Sequence, residues 1–468
     1  MKKQIVLLVI LFGFIYFWKV TTSYRMPPDY NYDSDFGRDL WEMEKIVHGK
    51  PTLVGPQFSY AGLRLAPYHF YFFAPVLAVF NSYQAVVFAN AGLFVISLVA
   101  AFLILRKRFS NLLALTSVVW LGTTSYFILA ARSPGNAFSY LPFFLIYLLY
   151  IFYAENFSFL ISAILGIVAG VIVNYHPIAL IPTIFSFIFI ALSKKKLSFK
   201  EKVAHMGSFF AAFFATFLPV IIFELRHNFV LIKTFFGSRQ AEFFGNSGIN
   251  LIDGFRKLPM LNKITYSLIP ITTIGLFTLV FFLFLQNGKA KDKNKFYISI
   301  ILTILYLVSG RGAVHYFFPT ILFLQLTTIF LIKKYKFANL LIAILLLINI
   351  VSFPIRLFRP SRNPSVTESS FGQAIDRMSV PKSGINVFLI NNTYLSAPGY
   401  EYRYILEKNG YRVDDEHEYG KSKYLLVISE GKRAIPTATN SWELREFGDR
   451  KLIDKTEIAD NIYYLFQK

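Results

Sequence analysis

Apolar residues run along this chain in long blocks broken by short polar clusters, over 82–105, 110–131, 137–153, 157–173, 177–193, 206–223, 263–285, 296–309, 316–332 and 338–355. Several blocks approach the ~20 residues that a helix needs to cross a bilayer. An earlier block, from Ile5 to Trp18, follows two lysines and precedes no A-x-A-like cleavage site, so it reads as an uncleaved anchor with a cytoplasmic amino end. Together the blocks predict an all-α polytopic membrane protein of about eleven transmembrane helices.

The polar clusters set its orientation. Arg106–Arg108, Lys194–Lys202, Lys289–Lys295 and Lys333–Lys336 are basic, and an even number of blocks separates each from the next, so all of them fall on the cytoplasmic side. The C-terminus then lies outside. The formal net charge of +21 is spread over these clusters rather than gathered in one domain, which speaks against nucleic-acid binding. Only 16% of the residues are charged and 55% are hydrophobic, whereas a soluble domain is about a quarter charged. With no cysteine, the chain has no disulfide, zinc–thiolate site or cysteine nucleophile.

After Arg356 the pattern changes. Residues 359–365 read as a linker, "GINVFLI" and "KYLLVIS" as buried strands, and "APGYEYRYILEKNG" as a helix ending at Gly410. "KLIDKTEI" and "NIYYLFQK" form an expected terminal hairpin. The organisation expected is a transmembrane domain over 1–356, with a first outer loop over 21–81, then a small extracytoplasmic α/β domain over 357–468.

On this topology the polar chemistry gathers on the outer face. Asp33, Asp35, Arg38 and Asp39 lie there, with "ARSPGN" (131–136), "NYHP" (174–177), "FELRHN" (223–228) and "GRGAVHYFFP" (310–319). The middles of the apolar blocks carry almost no ionisable residue, which argues against a transporter with coupling charges at the midplane. "DSD" at 33–35 has the form of a D-x-D metal site for nucleotide sugars, but those donors are cytosolic and this segment faces outward. What remains is a carboxylate at the membrane surface able to take a proton from a hydroxyl. The competing account is a solvated loop in which Asp33 caps the helix "FGRDLWEMEKIV". Arg132, His176, Arg226, His227, Arg311 and His315 end apolar blocks in different outer loops. The planar fork of Arg suits phosphate, and the competing account is snorkelling to lipid headgroups. Residues 53–76, rich in Gly, Pro and aromatics, read either as short interfacial helices or as a covering loop.

Assembled, these segments resemble the GT-C-fold glycosyltransferases related to protein O-mannosyltransferases and lipid A aminoarabinose transferases. The resemblance rests on Asp35-Phe36-Gly37-Arg38-Asp39, Leu53-Val54-Gly55-Pro56, "GLRLAPYHFYFFAP", "SPGNAFSYLPFF", "NYHP", "PVIIFELRHNF" and "HYFFP", in the family's order over nearly the whole membrane region. It implies a polyprenyl-phosphate sugar donor bound from the membrane, with its phosphate at the outer surface. It also implies Asp35 as the catalytic residue, with Asp33 as competitor. The expected reaction transfers the sugar, with inversion, to a hydroxyl of a protein, lipid or polysaccharide. The leaving phosphate would be held by Arg226, Arg311 and His315, with Arg132 or His227, while Arg38, Asp39, His176 and Tyr316 flank the site. O-mannosyl-type relatives need no metal and oligosaccharyltransferase relatives use one, so a divalent metal stays open. The chain departs from the pattern where "SPGNAFS" replaces a Trp-Asn-Pro-like segment and in having fewer spans than some relatives. The rival expectation is a non-catalytic polyprenyl-lipid-binding or export component, or a transporter.

Overall fold

The computed structural model describes residues 12–13, 16, 34–56, 64–153, 158–193, 197–236, 318–332, 337–351, 364–390, 398–431 and 441–468. The blocks expected over 263–285 and 296–309, and most of the amino-terminal anchor, lie outside them. The chain divides into two compact units, one of residues 1–23, 52–72 and 87–359, the other of residues 24–51, 73–86 and 360–468.

Helices fill the first part of the chain: α1 (Ser34–Val47), α2 (Tyr68–Phe80), α3 (Tyr83–Leu105), α4 (Asn111–Gly122), α5 (Ser125–Arg132), α6 (Asn136–Ser139) and α7 (Leu141–Tyr153). They continue as α8 (Phe159–Tyr175), α9 (Leu180–Ser193), α10 (Phe199–Ala215), α11 (Leu218–Arg226), α12 (Val230–Phe236), α13 (Phe318–Ile332) and α14 (Ala338–Val351). Among the described residues α3 is long and apolar enough to cross a membrane by itself, and the bent pairs α4–α5 and α10–α11, at 65° and 49°, bring the number to three. The blocks expected over 263–285 and 296–309 lie outside that count, and several of the other blocks hold apolar helices shorter than 18 residues. Ser133–Gly135, His176–Pro177 and Thr216–Phe217 each end a helix inside or beside an apolar block. At the α4–α5 break, the Thr123 hydroxyl donates back to the Val119 carbonyl (2.8 Å) and the Thr124 hydroxyl to the Leu121 carbonyl (2.7 Å), a habit of Ser and Thr that bends helices.

In the first unit α8 and α10 pack at Gly166 and Gly170, four residues apart on one face of α8. A Cβ at Gly166 would run into the Phe209 carbonyl, and one at Gly170 would lie 2.9 Å from the Phe213 carbonyl. Small residues at this spacing let two apolar helices bring their backbones together. Polar links add to the pair: Ser162 Oγ and His205 Nδ1 are 2.9 Å apart, and the Ser208 hydroxyl donates to the Phe159 carbonyl at 2.9 Å.

The second unit holds α15 (Pro364–Met378), β1 (Ile385–Ile390), α16 (Tyr400–Lys408), β2 (Tyr424–Glu430), α17 (Trp442–Phe447), β3 (Lys451–Ile458) and β4 (Asn461–Gln467). The sheet order is β1-β2-β4-β3, with β1 and β2 parallel and the other neighbours antiparallel. The expected strands, helix and hairpin are all present. β1 is buried along its whole length, as a strand that is apolar at every position but Asn386 requires. Phe388, Leu425, Val427, Phe447 and Tyr464 form the core beneath the sheet.

The wholly buried Arg403 guanidinium ties α16 to β1. It donates to the carbonyls of Pro398 (2.7 Å), Asp414 (2.6 Å) and Val387 (3.1 Å), and to Asn386 Oδ1. α1 belongs to this unit and lies against α16. They meet at Gly37, where a Cβ would sit 2.6 Å from the Glu401 amide nitrogen. Trp41 follows one turn later, its ring 6.1 Å from that of Tyr400, with the Arg403 guanidinium 5.3 Å and the Lys45 ammonium 3.3 Å from its centroid.

Gly166→Ala should lower the thermal midpoint of the detergent-solubilised protein although Ala is the better helix former. The steric cost of overpacking, about 1–3 kcal/mol, exceeds the propensity gain. An unchanged or raised midpoint would mean that α8 and α10 are not in backbone contact.

Candidate functional site

The D-x-x-R-D stretch occupies the first turns of α1. Phe36, Leu40, Trp41 and Met43 are buried. Asp35 keeps its side chain 75% exposed in the first turn, where a carboxylate complements the helix dipole. Arg38 and Asp39, three and four residues further on and so on the same side of the helix, are buried, at 10% and 0% exposure. The guanidinium joins the three residues. Arg38 Nε and Nη2 donate to Asp39 Oδ1 at 3.0 and 2.7 Å, and Nη1 donates to Asp35 Oδ1 at 3.0 Å. Burial on its own would lower the Arg38 pKa, but the charges of Asp39 and then Asp35 outweigh it and hold the pKa above the ordinary arginine value. These two carboxylates do not fit a divalent cation as placed, because a guanidinium already lies between them. Among the described residues no three His, Asp or Glu side chains converge as a metal site requires.

The other described candidates fall in the first unit. Arg132 is buried at the end of α5, whose Ala130 and Ala131 carbonyls accept from Asn90 Nδ2 at 3.0 and 2.9 Å. The loop after it meets the end of α8: Asn136 Nδ2 donates to the Tyr175 carbonyl (3.0 Å), and Tyr140 stacks on His176 at 6.4 Å. Arg132's loop and His176 are thus brought together. His176 Nδ1 accepts from the Ile178 amide at 3.3 Å and so caps the 3-10 turn Pro177–Ala179.

Arg226 and His227 are exposed at the end of α11, with the His227 ring stacked on Phe223 at 4.1 Å. The turn there is held by Glu224, whose carboxylate accepts from the Leu231 and Ile232 amides of α12, both at 2.9 Å. Between them Asn228 and Phe229 adopt left-handed φ values of 54° and 60°, an uncommon conformation for an aromatic residue. Asp33, Arg311, His315 and Tyr316 lie outside the described residues.

Sequence reading passed over the residue that organises the first unit's polar cluster. Asn174, wholly buried, donates from Nδ2 to the Gly170 carbonyl (2.8 Å) and to Thr216 Oγ1 (3.1 Å), while its Oδ1 accepts from the Ala66 amide (2.8 Å). Tyr68 adds a bond from its hydroxyl to the Thr216 carbonyl at 2.8 Å. The Gly/Pro/aromatic stretch is therefore anchored to the ends of α8 and α10, and buried His69 packs edge-on to Tyr175 at 5.3 Å. An Asn at the end of so apolar a helix was the available signal.

No family model and no curated protein sequence matches the chain. Solved structures do. ArnT from Cupriavidus metallidurans bound to undecaprenyl phosphate aligns with 98% of this chain and 97% of its own at a TM-score of 0.64 and 10% identity. Its apo state aligns over the same shares at 0.64 and 11% identity. The chain has the GT-C fold. The Archaeoglobus fulgidus oligosaccharyltransferase, in complex with Zn and sulfate, aligns with 90% of this chain and 67% of its own at a TM-score of 0.47 and 13% identity. Within the GT-C fold found here, Asp35, Arg38 and Asp39 lie in one compact unit, and Arg132, His176, Arg226 and His227 in the other.

Asn174→Ala should strand the Ala66 amide at a cost of about 1–3 kcal/mol. Faster hydrogen exchange over residues 64–72 is the measurement, and unaltered exchange would refute the anchoring role. A pH effect is expected at Glu44 of α1. Burial raises its pKa above 4.5, with His48 and Lys408 opposing. A raised carboxyl stabilises the fold fully below its unfolded pKa, and that contribution fades as pH rises through the folded value. Glu44→Gln should therefore gain thermal midpoint relative to the parent as pH goes from 4.5 to 7.5; parallel pH curves would contradict this.

Proposed function

We propose that this protein is an integral membrane glycosyltransferase that moves a sugar from a polyprenyl-phosphate donor to an acceptor hydroxyl on the outer face of the membrane. The observation that carries this is the alignment, over nearly all of both chains, with ArnT, which has been captured with undecaprenyl phosphate. On this reading about eleven helices cross the membrane, the amino end is cytoplasmic and the C-terminal domain lies outside.

The chemistry needs one carboxylate in reach of a hydroxyl. Asp35 suits the task because it is exposed and only one of its oxygens is engaged by Arg38. The acceptor's proton passes to Asp35 as its oxygen bonds to the anomeric carbon. The bond from that carbon to the phosphate oxygen breaks, and polyprenyl phosphate leaves with the electron pair. A single displacement inverts the anomeric centre. Arg226, Arg311 and His315, with Arg132 or His227, supply the positive charge that the departing phosphate requires.

The test is sugar release from a radiolabelled panel of polyprenyl-phosphate monosaccharides by purified protein. One donor should be turned over, and Asp35→Asn should lower the rate about 10²–10⁴-fold with an unchanged melting profile. Full turnover by the Asn variant would sink the assignment of the base. Tight binding of lipid carrier with no turnover of any donor would favour a non-catalytic lipid-binding protein.

A further inference from the structure

A general base must be held as well as present, and an exposed Asp on the first turn of a helix is free to rotate unless something fixes it. Asp35 is fixed by one bond, from Arg38 Nη1 at 3.0 Å. Arg38 is in turn fixed by two, since both Nε and Nη2 donate to the fully buried Asp39 at 3.0 and 2.7 Å. The guanidinium is a rigid plane, so with one edge locked on Asp39 the remaining nitrogen has a set direction, and that direction is Asp35.

Asp39 sits on a seat of its own. Its helix is pressed against α16 at Gly37, and Trp41 lies beside Tyr400 and Arg403. Tyr400 is held by a bond from its hydroxyl to Glu416 (2.8 Å), and Arg403 by carbonyls around it. Stability alone is a poor account of the pair. Burying a guanidinium and a carboxylate costs several kcal/mol per ion, and apolar replacements are often neutral or better.

We infer that Arg38 and Asp39 are positioning residues for Asp35, and that helix α16 of the C-terminal domain is the platform on which this arrangement rests. The role assigned to Asp35 is that of the proposed function, and the inference rests on that reading.

Two readouts on the full-length protein test it. Carbodiimide-driven coupling of Asp35 to a small amine, quantified by mass spectrometry, reports the hold on the carboxylate and needs no sugar donor. Asp39→Asn should raise Asp35 labelling several-fold, towards the level of Arg38→Gln. With the radiolabelled donor, the same variant should lose about 10–100-fold in kcat, as misplacement of a reacting group does, while donor KM stays within about twofold. Asp39→Glu, which keeps the charge, should recover part of the kcat. A purely structural role would lower the amount of folded enzyme without this split.

Because Asp39→Asn leaves Arg38 short of a partner and can harm folding, Arg38→Lys is the second variant. It keeps the charge but has no fork to hold two carboxylates, and the same rise in labelling is expected. If folded Asp39→Asn and Arg38→Lys label Asp35 as the parent does, the inference is overturned. If the parent turns over no donor, the proposed function fails while the labelling still decides the positioning.

Discussion

A helix that ends among apolar neighbours strands amides and carbonyls where water cannot reach them, and side chains must meet those groups. In the first unit several polar residues answer this demand. Asn90 takes the last carbonyls of α5, Asn174 and Tyr68 serve the break at Thr216, His176 starts the turn after α8, and Glu224 caps α12. The broken helices are tolerated because these bonds exist. The Gly and Pro residues that allow the breaks and the Asn, Thr and Tyr that heal them therefore travel together as short motifs. Motifs that read as chemistry, "NYHP" above all, are in good part the repair of a discontinuous backbone.

The second unit solves a different problem, two buried guanidinium groups near one Trp: Arg38 three residues before Trp41, and Arg403 5.3 Å from its ring. Arg403 is surrounded by neutral carbonyl oxygens and serves as a strut between α16 and β1. Arg38 is paired with carboxylates, one buried and one facing solvent. Arg403 meets only groups of the interior, whereas Arg38 links the interior to a carboxylate exposed to solvent. The contrast separates an arginine spent on backbone carbonyls from one that ties a buried carboxylate to an exposed one.

Much of this could be read from the chain. Apolar periodicity placed α3, which runs over Tyr83–Leu105 where 82–105 was expected, and the strand pattern placed β1, β2 and the terminal hairpin. The excess of carboxylates in "DSDFGRD" drew attention to Asp35, Arg38 and Asp39 because charge is scarce in so apolar a sequence. What stayed hidden was non-local or averaged away. A hydropathy window blurs the break at Gly122–Thr124, since these three residues are averaged with the apolar residues on both sides. Nothing around Gly37 announces that it must be small for Glu401, and nothing in "NYHP" tells a capping His176 from a ligand. Arg226 and His227 looked alike to Arg132 and His176 in sequence, yet the former pair is exposed and the latter buried.

The contact between Gly37 and Glu401 also has a history in time. α1 leaves the ribosome long before its partner helix, the touching positions being 364 apart along the chain (401 − 37). At ordinary elongation rates the interval is roughly 20–70 s. Throughout it, the apolar face carrying Phe36, Leu40, Trp41 and Met43 has no α16 to rest on. The aspartate helix is thus made well before the helix it rests on, and a chain interrupted before residue 400 carries the D-x-x-R-D motif without that surface.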